Sequence, residues 1–278
     1  ALGAFAKVPY FWALAPNYDL TFSPALYTKQ GLLLDAEWRH RLDTGIYTLH
    51  MAGIAQADPD AFVESGTRNS GDQEYRGGLR TTGQFFLNRL WTFGWDATLL
   101  SDRTFTRDYN VLYESTDVAV SQVHLTGLSQ TNYFDMRGYY FRVLTNDQGA
   151  EYNQARQPFV APVVDQNYLF DKDVLGGQLT MKNNVVSLTR DQTDCVDSGG
   201  DGICRPGDAI LGLKGNFNRA STDWTWQSQT IGPAGMVLKP FAYLRADAFY
   251  LSQDEQLLGI DDNGQYYRAM PAMGLEWR

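Results

Sequence analysis

The sequence predicts an all-β protein, an antiparallel transmembrane β-barrel, and three observations carry that prediction. Segment after segment alternates apolar and polar residues with a period of two, the spacing at which successive strand side chains face opposite sides. Aromatic residues make up 14% of the chain, and they recur on the apolar face of the strands, as in the aromatic girdles of a barrel. No run approaches the roughly 18 apolar residues that cross a bilayer as a helix, so any membrane contact has to be made by strands. With 20% charged residues and a mean hydropathy of -0.36, the polar half of each strand needs water, which a barrel interior supplies. A soluble β-sandwich is the alternative left open by the pattern alone.

Candidate strands run Leu2–Leu14, Tyr18–Tyr27, Gly31–Leu42, Gly45–Gln56, Tyr75–Leu87, Arg89–Asp102, Ser115–Leu128, Asn132–Thr145, Val174–Arg190, Asn218–Ile231, Val237–Ser252 and Gln265–Trp277. In the third, Leu32, Leu34, Ala36 and Trp38 oppose Asp35, Glu37, Arg39 and Arg41; in the sixth, Trp91, Phe93, Trp95, Ala97 and Leu99 oppose Thr92, Gly94, Asp96 and Thr98. Asp43-Thr44-Gly45 and Asn88 predict tight hairpin turns. Ala57–Glu74, Asp191–Gly215 and Gln253–Gly264 predict long polar loops. Such alternation of turns and loops suits an outer-membrane barrel. No repeat or linker divides the chain, so residues 1–278 read as one barrel domain.

The formal charge of -9 and a pI near 4.8 leave no basic stripe to neutralise phosphates, which argues against nucleic acid as a partner. The chain begins at Ala1, and no secretory signal is readable in it. Its two cysteines, Cys195 and Cys204, lie in one polar, Gly-rich stretch, which predicts a loop-closing disulfide and an oxidising compartment. Nearby, Asp197, Asp201, Gly202 and Asp208 fall at positions 1, 5, 6 and 12 of an EF-hand-like calcium loop. Gly199 offers no oxygen at position 3 and Asp208 replaces the bidentate Glu, so a calcium site and a solvated acidic loop are both consistent with this stretch. No other cofactor is implied.

Three histidines, His40, His50 and His124, stand in no metal-ligand or triad spacing, and no P-loop, dinucleotide or Gly-x-Ser-x-Gly motif is present, so the chain does not read as an enzyme. Asp35 and Glu37 share a strand face and could form an acid/base pair. Arg39 follows on the same face, which makes an ion-paired wall the better reading. Asp35, Glu37, Arg39, Arg76, Arg80, Asp96, Arg245 and Asp247 are therefore expected to face a hydrated lumen.

Proline has no N–H to give a ladder, and Pro9, Pro16 and Pro24 deplete donors where the first strands should pair. Each lost bond is worth about 1 kcal/mol, so a seam built here is weak. The run Val8-Pro9-Tyr10-Phe11-Trp12-Ala13-Leu14-Ala15-Pro16-Asn17-Tyr18-Asp19-Leu20-Thr21-Phe22-Ser23-Pro24 resembles the start of the barrel in the family of the LPS-assembly outer-membrane protein LptD. Lys29-Gln30-Gly31-Leu32 and Glu37-Trp38-Arg39 continue the likeness, followed more weakly by Ser101-Asp102-Arg103-Thr104-Phe105 and by Leu238-Lys239-Pro240-Phe241 through Arg245 and Asp247.

The resemblance implies a fragment, roughly 11–12 strands of a barrel of roughly 26, without the family's N-terminal jelly roll or the second barrel half. It further implies an outer-membrane translocon of Gram-negative bacteria that inserts lipopolysaccharide into the outer leaflet. Its lateral gate would lie at Pro9, Pro16, Asn17, Asp19 and Pro24. Implied partners are lipopolysaccharide, outer-membrane lipid, a plug lipoprotein (LptE in that family) inside the barrel and a periplasmic bridge of Lpt proteins. An outer-membrane porin or ligand-specific channel shares the barrel but needs closed, well-paired seams; a secreted β-sandwich adhesin would bury its aromatic faces.

Overall fold

The computed structural model describes residues 1–62, 71–112, 117–144, 150–196, 204–255 and 259–277. Its strands are β1 (Phe5–Lys7), β2 (Tyr10–Ala15), β3 (Tyr18–Phe22), β4 (Ala25–Tyr27), β5 (Gly31–Leu42), β6 (Gly45–Ala55), β7 (Tyr75–Phe86), β8 (Trp91–Leu100), β9 (Val118–Leu128), β10 (Asn132–Val143), β11 (Phe159–Leu169), β12 (Gln178–Arg190), β13 (Asp194–Val196), β14 (Ala209–Gly212), β15 (Gly215–Gln227), β16 (Thr230–Ile231), β17 (Val237–Glu255) and β18 (Ile260–Trp277). Two short helices, α1 (Phe105–Tyr109) and α2 (Ala150–Arg156), interrupt them. The fold is all-β and its described ladders are antiparallel. Among the described residues, β1, β2 and β18 each pair on one side only, so the sheet ends in open edges.

The chain forms two compact units. The first comprises Ala1–Leu87, Thr92–Val123 and Tyr139–Gln157; the second comprises Asn88–Trp91, His124–Gly138 and Pro158–Arg278. In the first unit the strand order is β1–β4–β5–β6–β7–β8, with β2 on β3 and β3 on β5. Register fixes the faces. Asp35 stands opposite Ala52, Glu37 opposite His50 and Arg39 opposite Thr48, while His50 meets Arg80 and Thr48 meets Thr82 on the next strand. Leu34, Met51 and Leu99, on the other face, are about half or more exposed at 49%, 50% and 66%. That exposed apolar face is what a soluble sandwich would bury, because such area is costly in water.

At one end of the first unit the face that carries Asp35 becomes dry. Ala25, Tyr27, Leu33, Ala52, Ile54 and Leu100 pack with Phe105, Tyr109, Val111 and Leu112 from the segment that carries α1. In the second unit the order is β11–β12–β15–β17–β18, and continuous registers place Lys182, Asp223 and Arg245 side by side.

The structure departs from the strand predictions in several places; Asn218–Ile231 divides into β15 and β16, and the expected loop Asp191–Gly215 carries β13 and β14. Leu2–Leu14 and Tyr18–Tyr27 are each cut in two, near Pro9 and Pro24 respectively. Phe159–Leu169 is a strand that alternation missed, because Pro162 and an irregular register between Val160 and Val163 break its period. Gln253–Gly264, expected to be a loop, is mostly strand, since β17 and β18 pair from Glu255 with Ile260 onward. Val174–Arg190 narrows to β12. The two-residue turn Asp43-Thr44 joins β5 to β6, and the Asn88 side-chain oxygen accepts from the Leu90 and Trp91 amides at 2.8 and 3.1 Å, the self-bonding that suits Asn to turns.

Candidate functional site

The first hairpin is a single ladder with a gap. Lys7 pairs with Ala25 on one side of the gap and Tyr10 with Phe22 on the other, in one unbroken register, so Val8 stands opposite Pro24 and Pro9 opposite Ser23. The Val8 amide donates to the Pro24 carbonyl at 3.1 Å, but Pro24 has no N–H with which to return the bond. Amides alternate sides along a strand; hence the donor missing at Pro9 is on the outer edge of β1 and β2, which has no neighbour among the described residues. Pro24 therefore weakens the hairpin ladder, and Pro9 leaves the open outer edge one donor short.

Pro16 and Asn17 form the turn of this hairpin, and the Asn17 side-chain Nδ2 donates to the Arg41 carbonyl at 3.2 Å, which pins the tip to β5. The Ser23 amide bridges the gap to the Asp35 carbonyl at 2.7 Å. On the polar face beside the gap, Arg39 Nε donates to Asp19 Oδ1 at 2.9 Å, with Glu37 3.9 Å away. Asp35 accepts from Lys7 Nζ at 2.8 Å and contacts His50 Nε2 at 2.6 Å. Arg80 pairs with Asp96 at 3.0 Å. This is a polar wall of both signs in which most charges are matched, so it can hydrate a mixed head group without holding one charge type tightly.

Arg76 departs from the hydrated wall expected of it. Its side chain is 0% exposed, as is that of Asp102, and Nη2 reaches Asp102 Oδ1 at 2.7 Å and Asp108 Oδ2 at 2.9 Å. Thr104 Oγ1 accepts from the same nitrogen at 2.8 Å, and the rings of Phe62, Phe105 and Tyr109 lie within 5.7 Å of the guanidinium carbon. One buried arginine thus ties the α1 segment to β7. Burial by itself would raise the Asp102 carboxyl; the Arg76 bonds, with help from Ser101 and the Thr104 amide, outweigh it and hold the group below the ordinary carboxylate range. Burial pushes the Tyr109 phenol up to about 12, and its hydroxyl donates to Gln56 Oε1 at 2.6 Å. The sequence carried one signal for this cluster, the run Ser101-Asp102-Arg103-Thr104-Phe105, but nothing in strand periodicity pairs it with Arg76.

In the second unit Asp247 is buried between two arginines, 3.1 Å from Arg245 Nη2 and 2.7 Å from Arg268 Nη2. Asp223 completes the row, 3.7 Å from Arg245 and bonded by the Tyr243 hydroxyl at 2.7 Å. Arg268 was not singled out from the sequence; its register opposite Asp247 brings it in. Trp224, Leu244, Ala246 and Ala248 occupy the other face. Cys195 lies in β13, which pairs with β14, and is joined to Cys204 in a disulfide. Of the calcium positions, Asp197 and Asp201 lie outside the described residues, and the Asp208 carboxylate accepts from the Arg205 amide at 2.8 Å.

No helix among the described residues is long and apolar enough to cross a membrane, which says nothing of strands. A family model described as "LptD: LPS transport system D" matches residues 74–278, downstream of the proline-rich run that carried the resemblance. The chain is 29% identical over 185 residues to LPS-assembly protein LptD of Pectobacterium atrosepticum, covering 65% of this chain and 22% of that protein. It is 27% identical over 193 residues to LPS-assembly protein LptD of Nitrosomonas eutropha, covering 68% and 23%. A shorter match to LPS-assembly protein LptD of Legionella pneumophila reaches 53% identity over 38 residues, 14% of this chain and 4% of that protein. The chain therefore spans less than a quarter of the length of the first two relatives. Because the family model covers well over half of the sequence, the chain belongs to the LptD family, LPS transport system D.

Proposed function

We propose that the full-length protein is an outer-membrane translocon that passes lipopolysaccharide from a hydrated interior to the outer leaflet through a lateral gate at the first hairpin. The observation that carries this reading is the interrupted ladder at Pro9 and Pro24, set between a polar face and an exposed apolar one. An amphiphile leaving through such a seam keeps its sugar and phosphate groups on the wet side while its acyl chains enter lipid, and Pro24 lowers the cost of parting the hairpin strands by about 1 kcal/mol for its missing bond. In this reading a plug lipoprotein of the LptE type fills the lumen, and a periplasmic bridge delivers the substrate. The energy for export comes from outside this segment, in whose sequence no nucleotide-binding motif is found.

A diffusion channel would need the opposite design, closed seams with every donor in place. Depletion of the full-length protein in cells separates the two. The export reading expects lipopolysaccharide to stop reaching the cell surface while uptake of small solutes is unchanged; lost solute uptake with normal surface lipopolysaccharide would replace it with the channel.

A further inference from the structure

We propose that Lys7, Asp35 and His50 form a side-chain clasp that holds the gapped first hairpin against the sheet, and that its release frees β1 and β2 to part from the strands behind them. Lys7 lies in register with Ala25, which lies in register with Leu33; the β5 residue directly across is therefore Leu33. Its ammonium instead runs diagonally over β4 to Asp35 at 2.8 Å, the β5 residue aligned with the gap itself. From the far side His50 of β6 approaches the other carboxylate oxygen at 2.6 Å. Asp35 also receives the Ser23 amide on its carbonyl at 2.7 Å. One residue thus anchors both broken strands, β3–β4 through its backbone and β1 through its side chain.

The surroundings make this contact count. The Asp35 side chain is 7% exposed and that of Lys7 38%, so a buried carboxylate is neutralised by a cation that remains near water and can leave. On the other side of β5, Ala52 of β6 lies opposite Asp35. Where Pro24 removes a backbone donor, the clasp supplies an ionic one.

The clasp deepens the export reading and rests on it for its role as a gate, but its existence is tested separately. Backbone hydrogen exchange is measured on the full-length protein in detergent micelles, comparing the native chain with Lys7→Met and Lys7→Arg. Lys7→Met is expected to speed exchange of the β1 and β2 amides by about tenfold, as for an ion pair with one partner buried, and to leave β6 and β7 unchanged. Lys7→Arg is expected to stay within about twofold of native, because a guanidinium can span the same diagonal. Equal exchange in native and Lys7→Met protein overturns the clasp. Should Asp35→Asn fail to fold, Lys7→Met still decides, since Lys7 is half-exposed on an edge strand. If the exchange result holds but lipopolysaccharide never crosslinks to the hairpin, the clasp stands as a strand latch and the export reading falls.

Discussion

Arg76 and Asp102 show how much depends on a single buried charge. Removing one member of a buried ion pair leaves the other without compensation and costs about 3–5 kcal/mol; Asp102→Ala is therefore expected to lower stability by that order in a denaturant titration in detergent. Phe105 and Tyr109 of α1 pack over the Arg76 guanidinium, so the α1 segment should loosen first and become open to proteolysis before the strands separate. The pH dependence follows from the direction of each shift. Asp102 is held below its ordinary range, so its contribution is complete above that range and is lost only as pH falls through the lowered value. Tyr109 is raised to about 12; the neutral phenol is the stabilised form, and its contribution is present below the ordinary tyrosine value of about 10 and disappears as pH climbs toward the raised one. The difference in phenolate absorbance between native protein and Tyr109→Phe should show a phenol still neutral where ordinary tyrosines have ionised. Ionisation of Tyr109 together with the bulk of the tyrosines would contradict the burial argument.

At the scale of elements, the two prolines make separable predictions. Pro24→Ala restores a donor facing Val8, and the hairpin should gain about 1 kcal/mol, seen as slower exchange of the amides on either side of the gap. Pro9→Ala restores a donor on the outer edge and should leave that inner ladder as it was. A further prediction concerns Gly83, whose missing side chain makes room for the Trp95 indole: a Cβ there would come within 2.3 Å of the ring. Gly83→Val should displace Trp95, break its bond to Thr81 Oγ1 and alter tryptophan fluorescence. Much of this scale was legible in the sequence, because alternation in Leu32–Leu42 and Arg89–Leu99 assigns faces directly. The α1 segment was not legible, since a five-residue helix held by Arg76 has no period of its own to detect. Phe159–Leu169 was hidden by Pro162, and the diagonal reach of Lys7 to Asp35 depends on a register that sequence alone does not fix.

At the scale of the molecule, each unit presents two unlike surfaces. The polar faces of both units carry charges that are largely matched, Arg80 with Asp96 in the first and Asp247 with Arg245 and Arg268 in the second. The opposite faces present Leu34, Leu99, Tyr267 and Met273, a load of apolar area that water does not tolerate. Open edges at β1, β2 and β18 add unpaired backbone groups, so residues 1–278 made alone in buffer are expected to aggregate and to partition into detergent when it is offered. On the proposed function, lipopolysaccharide leaves through the gapped first hairpin. The most direct measurement places a photo-crosslinking residue at Leu20 or Phe22 of the full-length protein in living cells, with Leu79 and Thr81 on β7 as comparison sites. Lipopolysaccharide adducts at Leu20 and Phe22, and few at Leu79 and Thr81, are the predicted result; adducts confined to β7, with none on the hairpin, would contradict it.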